Sequence, residues 1–240
     1  MLRVAIIGST GYTGLELCRL LVSHKGVSIT HLFAHSQAGK KFGDLYPHLT
    51  ELSQVDLEPF DSENLPTDVD VYFLAVPHAT AHAYCKKLWE TEAKIIDLSA
   101  DYRLDNLDVW EETYKTKHES PELIEKSVYG IPELYSKDIK TARLIANPGC
   151  YATSAILPLT PLVKAGLLKG MPIVDAKSGV SGAGRAIKVA NLYCEANETI
   201  QAYGTGIHRH QPEIEEKTGT TILFSPHLIP MSRGILATIY

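Results

Sequence analysis

Cys150 is the residue whose position best fits a nucleophile. It follows the tripeptide Asn-Pro-Gly at 147–149, and the apolar pattern beyond it predicts a helix from Cys150 or Tyr151 to about Leu157. The free amides at a helix N-terminus stabilise an anion and lower the pKa of a thiol placed there. Cys150 is therefore the candidate nucleophile, and an inert thiol is the alternative that its local sequence leaves open.

The remaining cysteines carry no comparable signal. Cys18 and Cys85 fall on helical patterns among apolar neighbours, which is typical of buried, structural thiols. The cysteines, including Cys194, are widely spaced and form no CxxC pair. Neither a disulfide framework nor a structural zinc site is indicated.

A second group of reactive side chains lies in the segment Ile-His-Arg-His-Gln-Pro-Glu, which contains His208, Arg209, His210 and Glu213. Histidine transfers protons near neutral pH, and Glu213 is suited to orient or tune an imidazole. A solvated loop is one alternative, and an accidental pair of metal ligands with Glu213 or His227 is another. We predict no metal, because no HExxH or comparable ligand spacing is present.

The segment GSTGYTG at 8–14 comes directly after an apolar run and opens a helical pattern, which matches a variant of the dinucleotide-binding glycine turn. Glycines there permit a sharp turn, close approach of a pyrophosphate and tight packing of helix on strand. A glycine-rich turn without a ligand is the alternative. The candidate cofactor contacts are Gly8, Ser9, Thr10, Gly11, Tyr12, Thr13 and Gly14.

The end of the second strand favours NADP(H) over NAD(H). An NAD-binding strand usually ends in an acid that accepts hydrogen bonds from the ribose, whereas residues 33–36 read Phe-Ala-His-Ser and the next acid is Asp44. Ser36 and Lys40 are placed to contact a 2′-phosphate. For Lys40, a solvated surface lysine is an equally good interpretation.

A thiol nucleophile in a chain that binds a hydride carrier indicates a particular reaction. A free carboxylate is a poor electrophile, but an acyl phosphate reacts with a thiolate, and the resulting thioester accepts hydride to give an aldehyde. Phosphate release requires cations. Candidate phosphate-binding residues are Arg103, Lys177, Arg185 and Arg209, of which the first three are equally plausible as surface ion-pair partners.

The elements that must position these residues read as an α/β protein. Apolar runs predict strands at 2–8, 27–34, 69–76, 94–98 and 143–146, with helices at 15–22 and around 79–90. Runs that are apolar on both faces favour a Rossmann-type, doubly wound parallel sheet covered by helices. A composition change at the Asn-Pro-Gly segment predicts a cofactor domain at 1–148 and a catalytic and oligomerisation domain at 149–240.

The second domain reads as the beginning of an α+β unit. Strands are predicted at 172–176, 220–224 and 234–240, and a polar stretch covers 188–218. Because the chain stops inside an apolar run, we expect it to be a fragment, truncated at its C-terminus, of a longer protein.

Composition excludes several classes of function. Of the 240 residues, 45% are hydrophobic and 21% are charged, which is typical of a globular protein. The net charge of −5 argues against a nucleic-acid partner. No apolar run approaches the roughly 18 residues that span a bilayer, and no signal peptide precedes the first strand, so we expect a cytoplasmic protein with a small-molecule substrate and no membrane partner.

Several motifs in fixed order resemble the N-acetyl-gamma-glutamyl-phosphate reductase family of the semialdehyde dehydrogenase superfamily. Besides the glycine turn they are AGK at 38–40, DLSADYRL at 97–104, YGIPEL at 129–134, NPGCYAT at 147–153, SGVSGAGR at 178–185, HRHQPEI at 208–214 and PHLIPMSRGILATIY at 226–240. The resemblance covers essentially the whole chain. It implies reduction of an acyl phosphate through a thioester on Cys150, in arginine biosynthesis.

The resemblance also implies roles and partners. It makes a histidine of the HRH segment, His208 in preference to His210, the acid/base, and it implies NADPH on the glycine turn. We also assign Ser181 and Gly182 to the cofactor. A homodimer or homotetramer built through the sheet of the second domain is implied.

The chain differs from its relatives in two respects, and three other interpretations of its function compete with this one. Relatives often carry arginine at the position of His35, and they continue well beyond the segment at 226–240. The enzymatic rivals are aspartate-semialdehyde dehydrogenase, against which HRHQPEI argues, and a reductase of aminoadipyl phosphate in lysine biosynthesis. The non-enzymatic rival is a truncated NADP-binding module.

Overall fold

The computed structural model describes all residues, 1–240, and the chain divides into two compact units, Met1–Asn147 and Pro148–Tyr240. The division lies within the Asn-Pro-Gly segment at 147–149. None of the helices combines the length and apolar character that a bilayer-spanning segment requires.

The first unit is built on one parallel sheet. Its strands are β1 (Leu2–Ile7), β2 (Val27–Phe33), β3 (Leu57–Glu58), β4 (Val71–Leu74), β5 (Lys94–Asp97), β6 (Ser127–Tyr129) and β7 (Leu144–Ala146). Its helices are α1 (Tyr12–Leu21), α2 (Phe42–Leu45), α3 (Ala81–Leu88), α4 (Leu107–Tyr114) and α5 (Pro132–Thr141). The seven strands run in the order β3-β2-β1-β4-β5-β7-β6, and every pair is parallel.

This order confirms the doubly wound α/β prediction. The sheet is buried between two clusters, one of which contains Ala5, Tyr72 and Ile95 and the other Ile6 and Leu32. Alternate residues of a strand point to opposite faces, so a strand covered on both sides must be apolar throughout. The winding direction reverses between β1 and β4, where ligands bind in folds of this kind.

The second unit has a smaller, mixed sheet. Its elements are α6 (Cys150–Lys164), β8 (Ile173–Gly179), α7 (Tyr193–Ala196), β9 (Gln201–Ala202), α8 (His210–Thr218), β10 (Leu223–Ile229) and β11 (Ile235–Ile239). The strand order is β11-β8-β10-β9, with β8 and β10 parallel and the outer pairs antiparallel. Helix α6 packs on the sheet through Tyr151, whose ring lies 5.3 Å from that of Phe224.

The predicted end of the helix that begins at Cys150 is wrong. The helix continues through Pro158 and Pro161 to Lys164, although a proline removes a backbone hydrogen bond. Ala155, Ile156 and the other residues on its inner face are fully buried, so packing offsets the missing bonds. Strand β10 starts at Leu223, three residues later than the predicted start at 220.

Candidate active site

The glycine turn joins β1 to α1 as the sequence predicts. Gly8 has φ +85°, and an added Cβ would lie 2.3 Å from the carbonyl oxygen of Ala75, so only glycine fits there. A Cβ on Gly14 would lie 2.3 Å from the Gly8 carbonyl oxygen. Helix α1 starts at Tyr12 and has no acid in its first turn, so its free amides favour an anionic group.

Of the remaining residues of the glycine turn, some hold the turn together and others are accessible to a ligand. The Ser9 hydroxyl is fully buried and donates to the carbonyl of Phe33 at 3.0 Å, so this side chain closes the turn. The Thr10 carbonyl accepts a hydrogen bond from Tyr46 at 2.6 Å. Tyr12 and Thr13 are exposed at the start of α1, where a ligand can reach their amides.

A cavity of about 590 Å³ lies beside this turn at the carboxyl ends of β1, β2 and β4. Its lining is largely apolar and consists of Ile7, Gly8, Phe33, Ala34, His35, Pro59, Phe60, Ala75, Val76, Pro77, Thr80 and Tyr84. Its position and lining fit a dinucleotide.

Ser36 and Lys40 do not line this cavity, whereas His35 does. Both side chains are exposed, and the Lys40 ammonium donates to Gln37 at 2.9 Å. Their position outside the mouth, on the segment after β2, remains compatible with a 2′-phosphate that projects from a bound nucleotide.

The segment after β5 is a buried polar turn, residues 97–103. Arg103 is 4% exposed, and its guanidinium donates to the carbonyls of Asn147 at 2.7 Å and Leu98 at 2.8 Å. The structure therefore uses much of the hydrogen-bonding capacity of Arg103 to hold the backbone that ends the first unit.

Asp97 and Asp101 are both fully buried in this turn. Ser99 donates its amide and its hydroxyl to Asp97, at 2.8 and 2.9 Å. Burial, followed by the nearby charge of Asp101, raises the pKa of Asp97 to about 7.

In the second unit, Cys150 is the first residue of α6 and is exposed. Cys18 and Cys85 are buried on α1 and α3, as the sequence predicts, and burial raises the pKa of Cys18 to about 12. Cys194 is the other exposed cysteine and lies on the four-residue helix α7. Only Cys150 combines exposure with the N-terminus of a long helix, which is the setting of a reactive thiol.

Gly149 lies between Cys150 and two buried side chains of α8. Its amide donates to Glu213 Oε1 at 2.8 Å. An added Cβ would lie 2.6 Å from His210 Nε2 and 2.9 Å from Glu213 Oε2, so the close approach requires glycine. Glu213 is 2% exposed and His210 is 6% exposed. The α8 side chains therefore fix the backbone directly before Cys150.

His208 is enclosed by aromatic rings. Ring centroids of Tyr151, Tyr203 and Phe224 lie 5.7, 5.5 and 5.3 Å from the imidazole, all close to edge-on. Burial, with a smaller contribution from the charge of Arg209, lowers the pKa of His208 to about 4. The imidazole is therefore neutral at physiological pH. Its Nδ1 accepts the amide of His210 at 3.1 Å, so the proton of the neutral ring lies on Nε2, which can donate a hydrogen bond to a ligand.

Sequence reasoning missed the tyrosines around this imidazole. The Tyr203 hydroxyl donates to that of Tyr151 at 3.1 Å, and Tyr151 donates to the His227 carbonyl at 3.0 Å. Burial raises the pKa of both tyrosines, so both stay protonated. The only local signal was an aromatic residue directly after the cysteine, because Tyr203 approaches through the tertiary fold.

One cavity of about 560 Å³ brings the reactive residues of the second unit together. Its lining consists of Cys150, Tyr151, Ser178, Gly182, Ala183, Lys188, Ala190, Asn191, Gln201, Tyr203, Gly204, Ile207, His208, Arg209, His210 and Leu228. Cationic groups are present and carboxylates are not, so the cavity suits an anionic ligand.

Besides Glu213, three sequence candidates of the second unit do not line this cavity. Lys177 forms an ion pair with Asp175, and the alternation of β8 puts it on the face opposite to Ser178. Arg185 is exposed on the following loop. Ser181 is half-buried, and its amide donates to the Ser232 carbonyl at 3.1 Å, whereas its neighbour Gly182 does reach the cavity.

No group of three or more histidine, cysteine or acidic side chains is arranged to hold a metal ion. His227 Nδ1 instead lies 3.3 Å from Asp175 Oδ1, on the Lys177 side of the sheet.

Two family models match the chain along almost its full length. Residues 3–142 match the NAD binding domain of semialdehyde dehydrogenase. Residues 150–240 match the semialdehyde dehydrogenase dimerisation domain.

Curated relatives share nearly half of the residues. An N-acetyl-gamma-glutamyl-phosphate reductase from Rhodopirellula baltica is 48% identical over 246 residues, which cover 100% of this chain and 71% of the relative. One from Dehalococcoides mccartyi is 49% identical over 99% of this chain and 70% of its own length.

A solved structure supports the fold. Aspartate semialdehyde dehydrogenase with NADP from Candida albicans superposes with a TM-score of 0.69 at 17% identity, over 100% of this chain and 71% of that one.

Proposed function

The chain belongs to the semialdehyde dehydrogenase family, with N-acetyl-gamma-glutamyl-phosphate reductases as its relatives, and on that premise we propose that it reduces N-acetyl-L-glutamyl 5-phosphate with NADPH. The products are N-acetyl-L-glutamate 5-semialdehyde and phosphate, in a step of arginine biosynthesis. The observation that carries the proposal is the placement of Cys150, exposed at the N-terminus of α6, in one cavity with His208 and Arg209.

The first half-reaction forms a thioester. The Cys150 sulfur attacks the acyl carbon, the bond from that carbon to the phosphate oxygen breaks, and phosphate leaves. The thiol proton passes to the departing phosphate. Neutral His208, whose proton lies on Nε2, donates a hydrogen bond to the acyl oxygen and stabilises the negative charge that develops there.

The second half-reaction releases the aldehyde. Bound NADPH supplies the hydride that adds to the thioester carbonyl carbon. The carbon–sulfur bond of the adduct on Cys150 then breaks, which frees the aldehyde and returns the thiolate, and a solvent proton restores the thiol. The amides at the start of α6 stabilise the thiolate at both stages.

The first unit has the features that NADPH binding requires. The glycine turn, the free N-terminus of α1 and the cavity of about 590 Å³ lie at the switch point of the sheet. Lys40 and Ser36 are the side chains that we assign to the 2′-phosphate.

The cavity of the second unit favours an acylated substrate over a free amino acid derivative. A free ammonium group needs a carboxylate partner, and no aspartate or glutamate lines the cavity. Lys188 and Arg209 offer cations to the substrate carboxylate and phosphate. These groups support the N-acetylglutamyl compound over aspartyl phosphate.

A panel of aldehydes tests the reaction in its reverse direction. The purified chain is mixed with NADP, phosphate and the semialdehyde of N-acetylglutamate, of aspartate or of aminoadipate, and NADPH formation is followed by absorbance. We expect phosphate-dependent turnover of the first compound only. Cys150→Ser removes this turnover, and the matched exposed cysteine variant Cys194→Ser retains it. Turnover that survives Cys150→Ser would falsify the thioester mechanism.

We further propose that the chain assembles with itself, as a homodimer or homotetramer, through the open face of the second sheet. The match of residues 150–240 to a dimerisation domain supports this. Leu236, 64% exposed, pairs with Lys177 across β11 and β8 and so shares its face, on which Ile173 is 39% exposed. Light scattering of the wild type and of Leu236→Asp tests it, and an unchanged mass would contradict it. A cytoplasmic location is proposed with this biosynthetic role.

A further inference from the structure

We propose that Asp101 is a positioning residue for the dinucleotide: it holds the loop between β4 and α3 in the shape that forms one wall of the NADPH cavity. The inference rests on the proposed function only in the identity of the cofactor. It concerns a carboxylate that has no place in the thioester chemistry.

The loop at 75–80 supplies a wall of the cavity through Ala75, Val76, Pro77 and Thr80. Within it, Ala79 has φ +58°, a left-handed conformation that a residue with a Cβ adopts unfavourably. The loop therefore needs an external restraint to keep this shape.

Asp101 provides that restraint from 22 residues away. Its Oδ1 accepts the Ala79 amide at 2.7 Å, and its Oδ2 accepts the His82 amide at 3.0 Å. Thr80 is the N-cap residue of α3, and its side chain makes no capping hydrogen bond, so Asp101 does the capping instead. One carboxylate thus binds the backbone at Ala79, where φ is positive, and at His82 in the first turn of α3.

Asp101 is itself held in place by its surroundings. It is fully buried, and its carbonyl accepts a hydrogen bond from His118 Nε2 at 2.9 Å. The preceding carbonyl, of Ala100, accepts the Trp110 indole at 3.0 Å. Because these two bonds hold the backbone of the buried turn, the carboxylate restrains the loop at 75–80.

Asp101→Asn tests the restraint, because a carboxamide keeps one acceptor but presents an NH₂ group to one of the two amides. NADPH affinity, followed by nicotinamide fluorescence without any acyl phosphate, is expected to fall at least about fivefold. The matched control is Asp97→Asn, which removes an equally buried carboxylate of the same turn that accepts its hydrogen bonds from Ser99. Its affinity should stay within about twofold of the wild type.

Two substitutions at Ala79 separate positioning from general stability. Ala79→Gly adopts φ +58° freely, so it should restore affinity to the Asp101→Asn variant. Ala79→Val adds a β-branched side chain at positive φ with Asp101 intact, and it should weaken NADPH binding without touching the buried turn. If Asp101→Asn does not fold, the Ala79→Val result decides.

The outcomes distinguish this proposal from the proposed reaction. Asp101→Asn that binds NADPH as Asp97→Asn does, Ala79→Gly that restores nothing, or Ala79→Val that binds normally overturns the positioning role. A wild type that binds NADPH but turns over none of the semialdehydes overturns the reaction and leaves the Asp101 result to stand on its own variants.

Discussion

The amide of Gly149 donates a hydrogen bond of 2.8 Å to the carboxylate of Glu213. Sequence reasoning paired Glu213 with a histidine, whereas the structure joins it to the backbone immediately before the nucleophile. Because Gly149 is the N-cap residue of α6, the buried carboxylate sets the direction in which Cys150 leaves the loop. Glu213 thus links α8 to the start of α6.

Removal of the Glu213 carboxylate should lower both the stability of the chain and its turnover. Glu213→Ala leaves the buried Gly149 amide without its partner, which costs about 1–3 kcal/mol of unfolding free energy. Turnover should fall at least about tenfold, because small displacements of a nucleophile are costly. Glu213→Gln retains an acceptor oxygen and should recover most of both. Urea denaturation and the semialdehyde assay measure the two effects, and equal losses in Ala and Gln variants would contradict the backbone role.

The thiols should differ in reactivity toward iodoacetamide at neutral pH. Cys150 should label about tenfold faster than Cys194, because both are exposed but only Cys150 starts a long helix. Cys18 and Cys85 should not label in the folded chain, since burial raises their pKa and blocks access. Mass spectrometry of peptides after timed quenching measures the order. Equal rates at Cys150 and Cys194 would remove the argument for a stabilised thiolate.

The half-buried imidazole of His208 should make the second unit more stable as pH rises. An unfolded histidine binds a proton below about pH 6.5, whereas folded His208 stays neutral down to about pH 4. The unfolded state therefore binds more protons between these values, and stability rises with pH across that window. Amide hydrogen exchange of α6 between these pH values measures the slope. His208→Gln should flatten it, and an unchanged slope would assign it to another group.

The buried carboxyl group of Asp97 should make the first unit less stable as pH rises. Its pKa is raised from 3.8 to about 7, so the folded state holds a proton that the unfolded state releases, and stability falls as pH rises between these values. The slope for one proton is at most about 1.4 kcal/mol per pH unit. Both tryptophans, Trp89 and Trp110, lie in this unit and report its unfolding. Asp97→Asn should flatten the fluorescence-detected slope, and a steeper slope would contradict the assignment.

Features set by residues close together in the sequence were predictable, and features set by distant residues were not. The parallel sheet was predictable because strands buried on both faces, such as β1, β2 and β4, must consist of apolar residues. The helix α4 was missed because a single buried residue, Trp110, anchors its eight residues. The cluster around His208 was not predictable, since Tyr203 and Phe224 reach it from separate elements. Asp101 lay inside a quoted motif, but its partner amides in the 75–82 loop are visible only in the fold.

The alternation of side chains along β8 could have corrected the sequence-based assignment of Lys177 to the phosphate. In β8, Val174, Ala176 and Ser178 are buried, so Lys177 must point to the other face. Arg209, in contrast, lines the cavity with Cys150. We therefore expect Arg209, rather than Lys177, to bind the phosphate, although both were candidates.

Paired substitutions test that ranking. Arg209→Gln should raise the KM for phosphate in the reverse assay about tenfold, because a charge-assisted hydrogen bond contributes about 1.5–3 kcal/mol. Lys177→Gln, which loses only its ion pair with Asp175, should change KM less than about twofold. Arg209 also lowers the pKa of His208, so the assay is run at about pH 8, where the imidazole is neutral in both variants. A larger KM effect from Lys177→Gln would place the phosphate on the opposite face of β8.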